Sequence, residues 1–199
     1  MESEKTMQKI REVALVEVQN NNAPPELYTC LAIEKGIQLA KKMNADAQVV
    51  EAALWLCDSR IGPCLRENRV KDHIVESLEF ARTALVTTNA SKDFIEKALQ
   101  VMSEHHSKTH KYVEGEIVAN ADAYKFLPPI GSLHLLWTEG KRSDSYKKSL
   151  DYVYHKIEEK WNVLTIQECK DEMREPYEHL KFVFNTALEK EAKLSFKVN

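Results

Sequence analysis

The sequence predicts an all-α protein, a globular helical bundle rather than a coiled coil. Three observations lead there. Apolar residues recur at helical spacing through most of the 199 residues. No stretch sustains the period-two alternation of half-buried strands. Five glycines and six prolines are few for this length, which favours long helices over many turns.

Taken in order, residues 3–19 carry Met7, Ile10, Ala14 and Val18 at helical spacing, and Asn20 to Pro25 break the chain. A second helix is expected from about Glu26 to Met43, with Tyr28, Ala32, Gly36, Leu39 and Met43 on one face. Asn44-Ala45-Asp46 is a turn in which Asp46 can cap the next helix, Ala47 to about Asp58. Residues 59–68, with Gly62-Pro63, read as irregular. A helix over about Val70 to Val86 follows, then a turn at residues 87–91. Phe94, Ile95, Ala98, Leu99 and Met102 mark a helix that leads into His105-His106. Glu114 to Phe126 reads as helical until Pro128-Pro129 stops it. Residues 130–140 are apolar but short and take no assignment. Two long helices finish the chain, one with the stripe Tyr146, Leu150, Val153, Ile157, the other with Met173, Tyr177, Leu180, Phe184, Leu188. Thr165 and Glu168 have capping-box spacing, and Pro176 is expected to kink or break the last helix.

The totals bound the function. The chain is long enough to bury a sizeable core without staples. A net charge of −3 argues against general nucleic-acid binding. The polar start Met1-Glu2-Ser3-Glu4-Lys5 has no signal-peptide core, and no run is long enough to span a membrane. Cys30, Cys57, Cys64 and Cys169 form no C-x-x-C pair, so neither a zinc ribbon nor a disulfide framework is expected. A reducing, cytoplasmic location follows as the expectation.

The chemistry lies where polar residues interrupt apolar faces. Asp58 ends the run Ala52-Ala53-Leu54-Trp55-Leu56-Cys57, and Asp122 sits between alanines. His73 shares a helical side with Ser77 and Ala81. His105 and His106 end an amphipathic helix; as adjacent helical residues point about 100° apart, at most one is expected inward. Carboxylates and imidazoles converging in a bundle can hold a divalent metal ion, which polarises a phosphoryl oxygen and acidifies water.

The order Tyr28 … Cys57-Asp58 … His73 … His105-His106 … Asp122 resembles the HD superfamily of metal-dependent phosphohydrolases. The stretch from Ala53 to Asp58 is similar to that family's A-x-L-L-H-D, Asp72 to Ser77 to its D-H-x-x-x-S, and Glu114 to Ala123 to its E-x-x-I-x-x-D-A-D. Glu26 to Asp46 looks like its first motif helix, and Ser149 to Glu189 like the closing helices of small bacterial and archaeal members. The resemblance covers roughly residues 26–190. It implies an HD-domain-like bundle in one compact unit: an N-terminal helix and linker over 1–25, an HD-like core over 26–140, and C-terminal helices over 141–199. It implies Asp58, His73, His105, His106 and Asp122 as metal ligands, with Asp58 and His73 catalytic. The implied cofactor is a divalent ion (manganese, iron, zinc, nickel or magnesium), and the implied partner a small phosphorylated molecule or nucleotide; oligomeric state stays open.

Two positions depart from the family pattern. Tyr28 and Cys57 stand where it has histidines. A phenol with a pKa near ~10 is a poor ligand for a hard ion, and a thiolate suits zinc but not magnesium or manganese. Two readings therefore stand: a phosphohydrolase, or an inactive HD-like module that binds a small ligand or protein. For Asp58 and Asp122 the plainer alternative is a buried carboxylate held by Arg60 or another cation, and for His73 a core imidazole bound to a carboxylate. Cys57 reads as buried filler or as a nucleophile with His73 as its base.

Overall fold

The computed structural model describes residues 1–194, and within them the chain is all-α, with ten α-helices, one 3-10 turn and no strand. The last residues of the expected 141–199 segment, 195–199, lie outside the described residues. The chain forms two compact units, residues 1–122 and the residues from 123 onward.

The first unit holds α1 (Glu4–Asn21), α2 (Glu26–Lys42), α3 (Ala47–Leu56), α4 (Ile61–Arg66), a 3-10 turn at Val70–Asp72, α5 (His73–Thr87), α6 (Lys92–Ser103) and α7 (Val113–Tyr124), which ends at the boundary. Local chemistry fixes the helix ends. Ser3 Oγ accepts from the Thr6 N–H at 3.1 Å, and the Asp46 carboxylate accepts from the Gln48 and Val49 N–H groups at 3.1 and 3.2 Å. Asn22, Asn44, Asn68 and Asn89 all take left-handed backbone (φ 54°, 54°, 57° and 59°) where α1, α2, α4 and α5 stop. Asparagine tolerates that conformation better than other side chains, so the unit ends its helices without spending glycines.

Helix α3 is the hub. It packs against α1, α2, α5 and α6, and Val49, Val50, Ala52, Ala53, Leu54 and Leu56 are all buried. Because those residues point around the whole helix, α3 is enclosed rather than amphipathic. Arg11 of α1 reaches Glu51 of α3 at 2.6 Å, on one of its few open positions.

The second unit packs α8 (Pro129–Arg142), α9 (Tyr146–Val163) and α10 (Gln167–Leu194) against one another. The indole of Trp161 stacks on Tyr177 at 4.3 Å, and the Tyr177 hydroxyl donates to Glu158 at 2.5 Å.

The structure departs from the sequence reading in three places. The stretch expected to be irregular contains α4, with Pro63 inside its first turn, where a missing N–H costs nothing. Residues 130–140 lie within α8, which starts with Pro129 at its first position; Ile130, Leu133 and Trp137 are exposed, and this blurs the single apolar face that periodicity looks for. Helix α10 runs through Pro176 without a break. The buried residues Met173, Tyr177, Leu180 and Phe184 flank that proline and hold the helix on its neighbours.

Candidate metal centre

Four elements of the first unit bring polar side chains together. The first is the turn after α3. Its chain leaves the helix at Cys57, whose N–H still donates to Ala53 O at 2.8 Å, and turns back through Ser59 N–H to Leu56 O (3.1 Å) and Ile61 N–H to Asp58 O (2.9 Å). The Arg60 N–H donates to Ser77 Oγ of α5 at 3.1 Å, which ties the turn to the helix that carries His73. Cys57 and Asp58 are both buried, at 3% and 8% exposure.

The second element is the start of α5, where His73 is the first helical residue. The third is the turn after α6. That helix ends at Ser103, so His105 and His106 lie on a turn and the 100° rule for neighbouring helical residues does not govern them. Both rings join the cluster. His105 is 1% exposed, while the His106 side chain stands at the edge with 43% exposure. Their ring centroids are 4.1 Å apart, and they lie 6.0 and 5.5 Å from the His73 ring. The fourth element, α7, brings Asp122 Oδ2 to 3.9 Å from His106 Nε2.

Two imidazoles are held in one tautomer. His73 Nδ1 is 2.6 Å from Val70 O, and His105 Nδ1 is 2.7 Å from Met102 O. A carbonyl only accepts, so Nδ1 carries the hydrogen in both rings and neutral imidazole presents Nε2 as a lone pair. Both Nε2 atoms face the same oxygen, Asp58 Oδ1, at 3.6 Å from His73 and 4.0 Å from His105. These separations exceed a hydrogen bond, and His105 Nε2 is buried with no hydrogen-bond partner among the described residues. Lone pairs aimed at a carboxylate are stable neighbours when a cation lies among them. Ligands of a tetrahedral ion at 2.0–2.2 Å stand about 3.4 Å from one another, close to what is found.

Two overlapping groups meet the spatial requirement for one ion. His73, His105 and His106 form one; Cys57, Asp58 and His105 form the other, each with its ligand atoms within 4.8 Å of one another. The nitrogen, carboxylate and thiol donors fit a divalent transition ion, with Nδ1–H bonded to a carbonyl as the usual outer support of a ligating imidazole.

The five residues singled out as ligands are thus all in one region, Asp58 beside His73 and His105, and Asp122 beside His106. Arg60, considered as the holder of Asp58, instead pairs with Glu17 of α1. Tyr28 is buried on α2 at 4% exposure. Sequence reasoning did not find the carbonyls of Val70 and Met102, since any residue type supplies one. Cys57, which the sequence puts at the place of a family histidine, has its sulfur within 4.8 Å of donor atoms of Asp58 and His105.

A second polar contact sets α7. Glu114, 4% exposed, accepts from the Asp46 N–H and from Lys97 Nζ, both at 2.8 Å. Burial pushes its carboxyl up, but the Lys97 ammonium and the backbone donors outweigh that and hold it below the usual range. The helix carrying Asp122 is thereby fixed to α6 and to the cap of α3.

No protein-family model and no curated protein matches the sequence. Solved structures do match. Bacillus subtilis YpgQ in complex with ADP aligns with a TM-score of 0.66 and 15% identity over 96% of this chain and 97% of that one. A Lactobacillus plantarum protein aligns at TM-score 0.70 and 15% identity over 97% and 98%. A predicted HD superfamily hydrolase from an uncultured Thermotogales bacterium aligns at TM-score 0.57 and 17% identity over 76% and 87%. At these identities the likeness is one of fold: the chain has an all-α, HD-like fold. No helix among the described residues is long and apolar enough to cross a membrane.

Proposed function

We propose that this chain is an HD-type phosphohydrolase domain that binds a divalent cation at Asp58, His73, His105, His106 and Asp122 and acts on a nucleotide or related phosphoester. The observation that carries this reading is the buried, partnerless His105 Nε2, aimed with His73 Nε2 at Asp58. When bound, such an ion polarises a phosphoryl oxygen and lowers the pKa of a water. The chain's own residues do the rest. His73 and His105 are held by the Val70 and Met102 carbonyls in the tautomer that ligates. Asp58 supplies the negative charge that offsets the cation, and its second role is to accept the proton of an attacking water, with His73 beside it. His106, next to Asp122, is the exposed member of the proposed ligand set. The ADP bound to YpgQ, which shares the fold, supports the nucleotide class.

A second reading has its own support. Tyr28 and Cys57 are buried at 4% and 3% exposure, as fillers of a former ligand pocket would be. Under it the chain binds a nucleotide without cleaving it. Elemental analysis of the purified protein separates the two, followed by phosphate release from nucleoside di- and triphosphates with added manganese, nickel, cobalt or zinc. Metal together with metal-dependent release supports hydrolysis. Nucleotide binding with neither metal nor release overturns it in favour of the binding module.

A further inference from the structure

We infer that Cys57, Asp58 and His105 form a thiolate–carboxylate–imidazole site that makes this centre selective for a thiophilic divalent cation of the zinc class. The inference rests on the proposed metal reading and specifies which side chains take the ion. His105 Nδ1 is committed to Met102 O, so this ring has one nitrogen to offer and can serve one ion. His105 itself belongs to both candidate groups. Charge and burial decide between them. The His73–His105–His106 group offers imidazole nitrogens and no anion, and one member stands at the exposed edge. Cys57, Asp58 and His105 are each less than a tenth exposed, at 3%, 8% and 1%. A dication taken into so dry a place needs anions beside it, and a thiolate with a carboxylate neutralises it fully where imidazoles do not.

The backbone permits the arrangement. Cys57 keeps helical backbone as the cap of α3 (φ −61°, ψ −31°), and Asp58 follows it at the start of the turn, which sets the two donors side by side. The Cys57 Sγ contact to Leu54 O is a long one, at 3.9 Å. On binding, the thiol proton passes to solvent and a sulfur–metal bond of about 2.3 Å forms, with no change of oxidation state. His73 Nε2, at 3.6 Å from the same Asp58 oxygen, stands by as a further donor. The thiolate is what turns the preference, since sulfur ligands favour zinc and suit magnesium and manganese badly.

Cobalt(II) titration of the purified, metal-stripped chain tests this through absorption. The expected result is visible ligand-field bands together with a near-ultraviolet thiolate-to-cobalt charge-transfer band, zinc displacing both. In the same protein, zinc should slow alkylation of Cys57 by iodoacetamide, read by mass spectrometry, with buried Cys64 as the internal reference. Cys57→Ser should lose the charge-transfer band and about tenfold or more in zinc affinity. Ligand-field bands without the charge-transfer band, and Cys57 alkylation unchanged by zinc, overturn the thiolate site and leave the metal reading standing. No cobalt bound at all overturns both. The two measurements on the unaltered chain decide the matter even where the serine variant fails to fold.

Discussion

Replacing Glu114 with glutamine removes one charge from the contact that fixes α7 and leaves its shape in place. The amide oxygen can still accept from the Asp46 N–H, now 2.8 Å from Glu114, so what the variant loses is the charge, which acts chiefly on Lys97 at the same distance. A hydrogen bond to a charged group contributes about 1.5–3 kcal/mol. The Lys97 side chain is 30% exposed, and solvent screening reduces the expected loss to about 1–2 kcal/mol. For a chain of this size that lowers Tm by about 2–8 °C. The pH dependence carries the sharper test. The folded carboxyl sits below its ordinary value, so the unfolded chain binds more protons as pH falls. The stabilisation is fully present above the unfolded pKa of about 4.3 and is lost as pH drops through the lower folded value. Thermal unfolding followed by circular dichroism from pH 7 to pH 3 should therefore show a constant gap between parent and variant down to about pH 5. Below that the gap should close. A gap that keeps its size into strong acid would mean that the loss is one of packing, and the electrostatic account would be wrong.

Other perturbations have equally definite outcomes. Zinc held at about 100 times its Kd should stabilise the folded chain by about 2.7 kcal/mol, a Tm rise of about 5–10 °C, and His105→Ala should remove most of it in a differential scanning experiment. An undiminished rise in that variant would place the ion elsewhere. The double change Tyr28→His with Cys57→His exchanges a phenol and a thiol for two imidazoles and should raise manganese affinity by about tenfold, read as free manganese by electron paramagnetic resonance; unchanged affinity would show that the remaining donors do not converge on a hard ion. Two glycines of α8 should respond with opposite signs. A Cβ at Gly131 would run into the backbone carbonyl of Lys125, which has no side-chain freedom to yield, so Gly131→Ala should cost about 1–3 kcal/mol in chemical denaturation. Gly140 meets nothing within 4 Å, and Gly140→Ala should gain up to about 1 kcal/mol through helix propensity; a loss there would contradict the open space.

The helical class and most helix positions were legible in the residues alone, while the set of candidate ligands came from the family resemblance. The class and the helix positions follow from local rules, apolar spacing and capping residues such as Ser3 and Asp46. The sequence was less informative where a local rule met a tertiary one. Helix α8 escaped notice because its exposed Ile130, Leu133 and Trp137 spoil the pattern, and α10 passes through Pro176 because packing outweighs one missing hydrogen bond. Within the candidate centre, the residue types were legible but their states were not. Only the folded chain decided that the carbonyls of Val70 and Met102 fix the tautomers of His73 and His105. Only it decided that α6 stops at Ser103 and lets both His105 and His106 reach the cluster, and that the Cys57 sulfur lies within 4.8 Å of donor atoms of Asp58 and His105. Tautomer, helix end and side-chain direction depend on backbone atoms that every residue shares, so no reading of side-chain types could have supplied them.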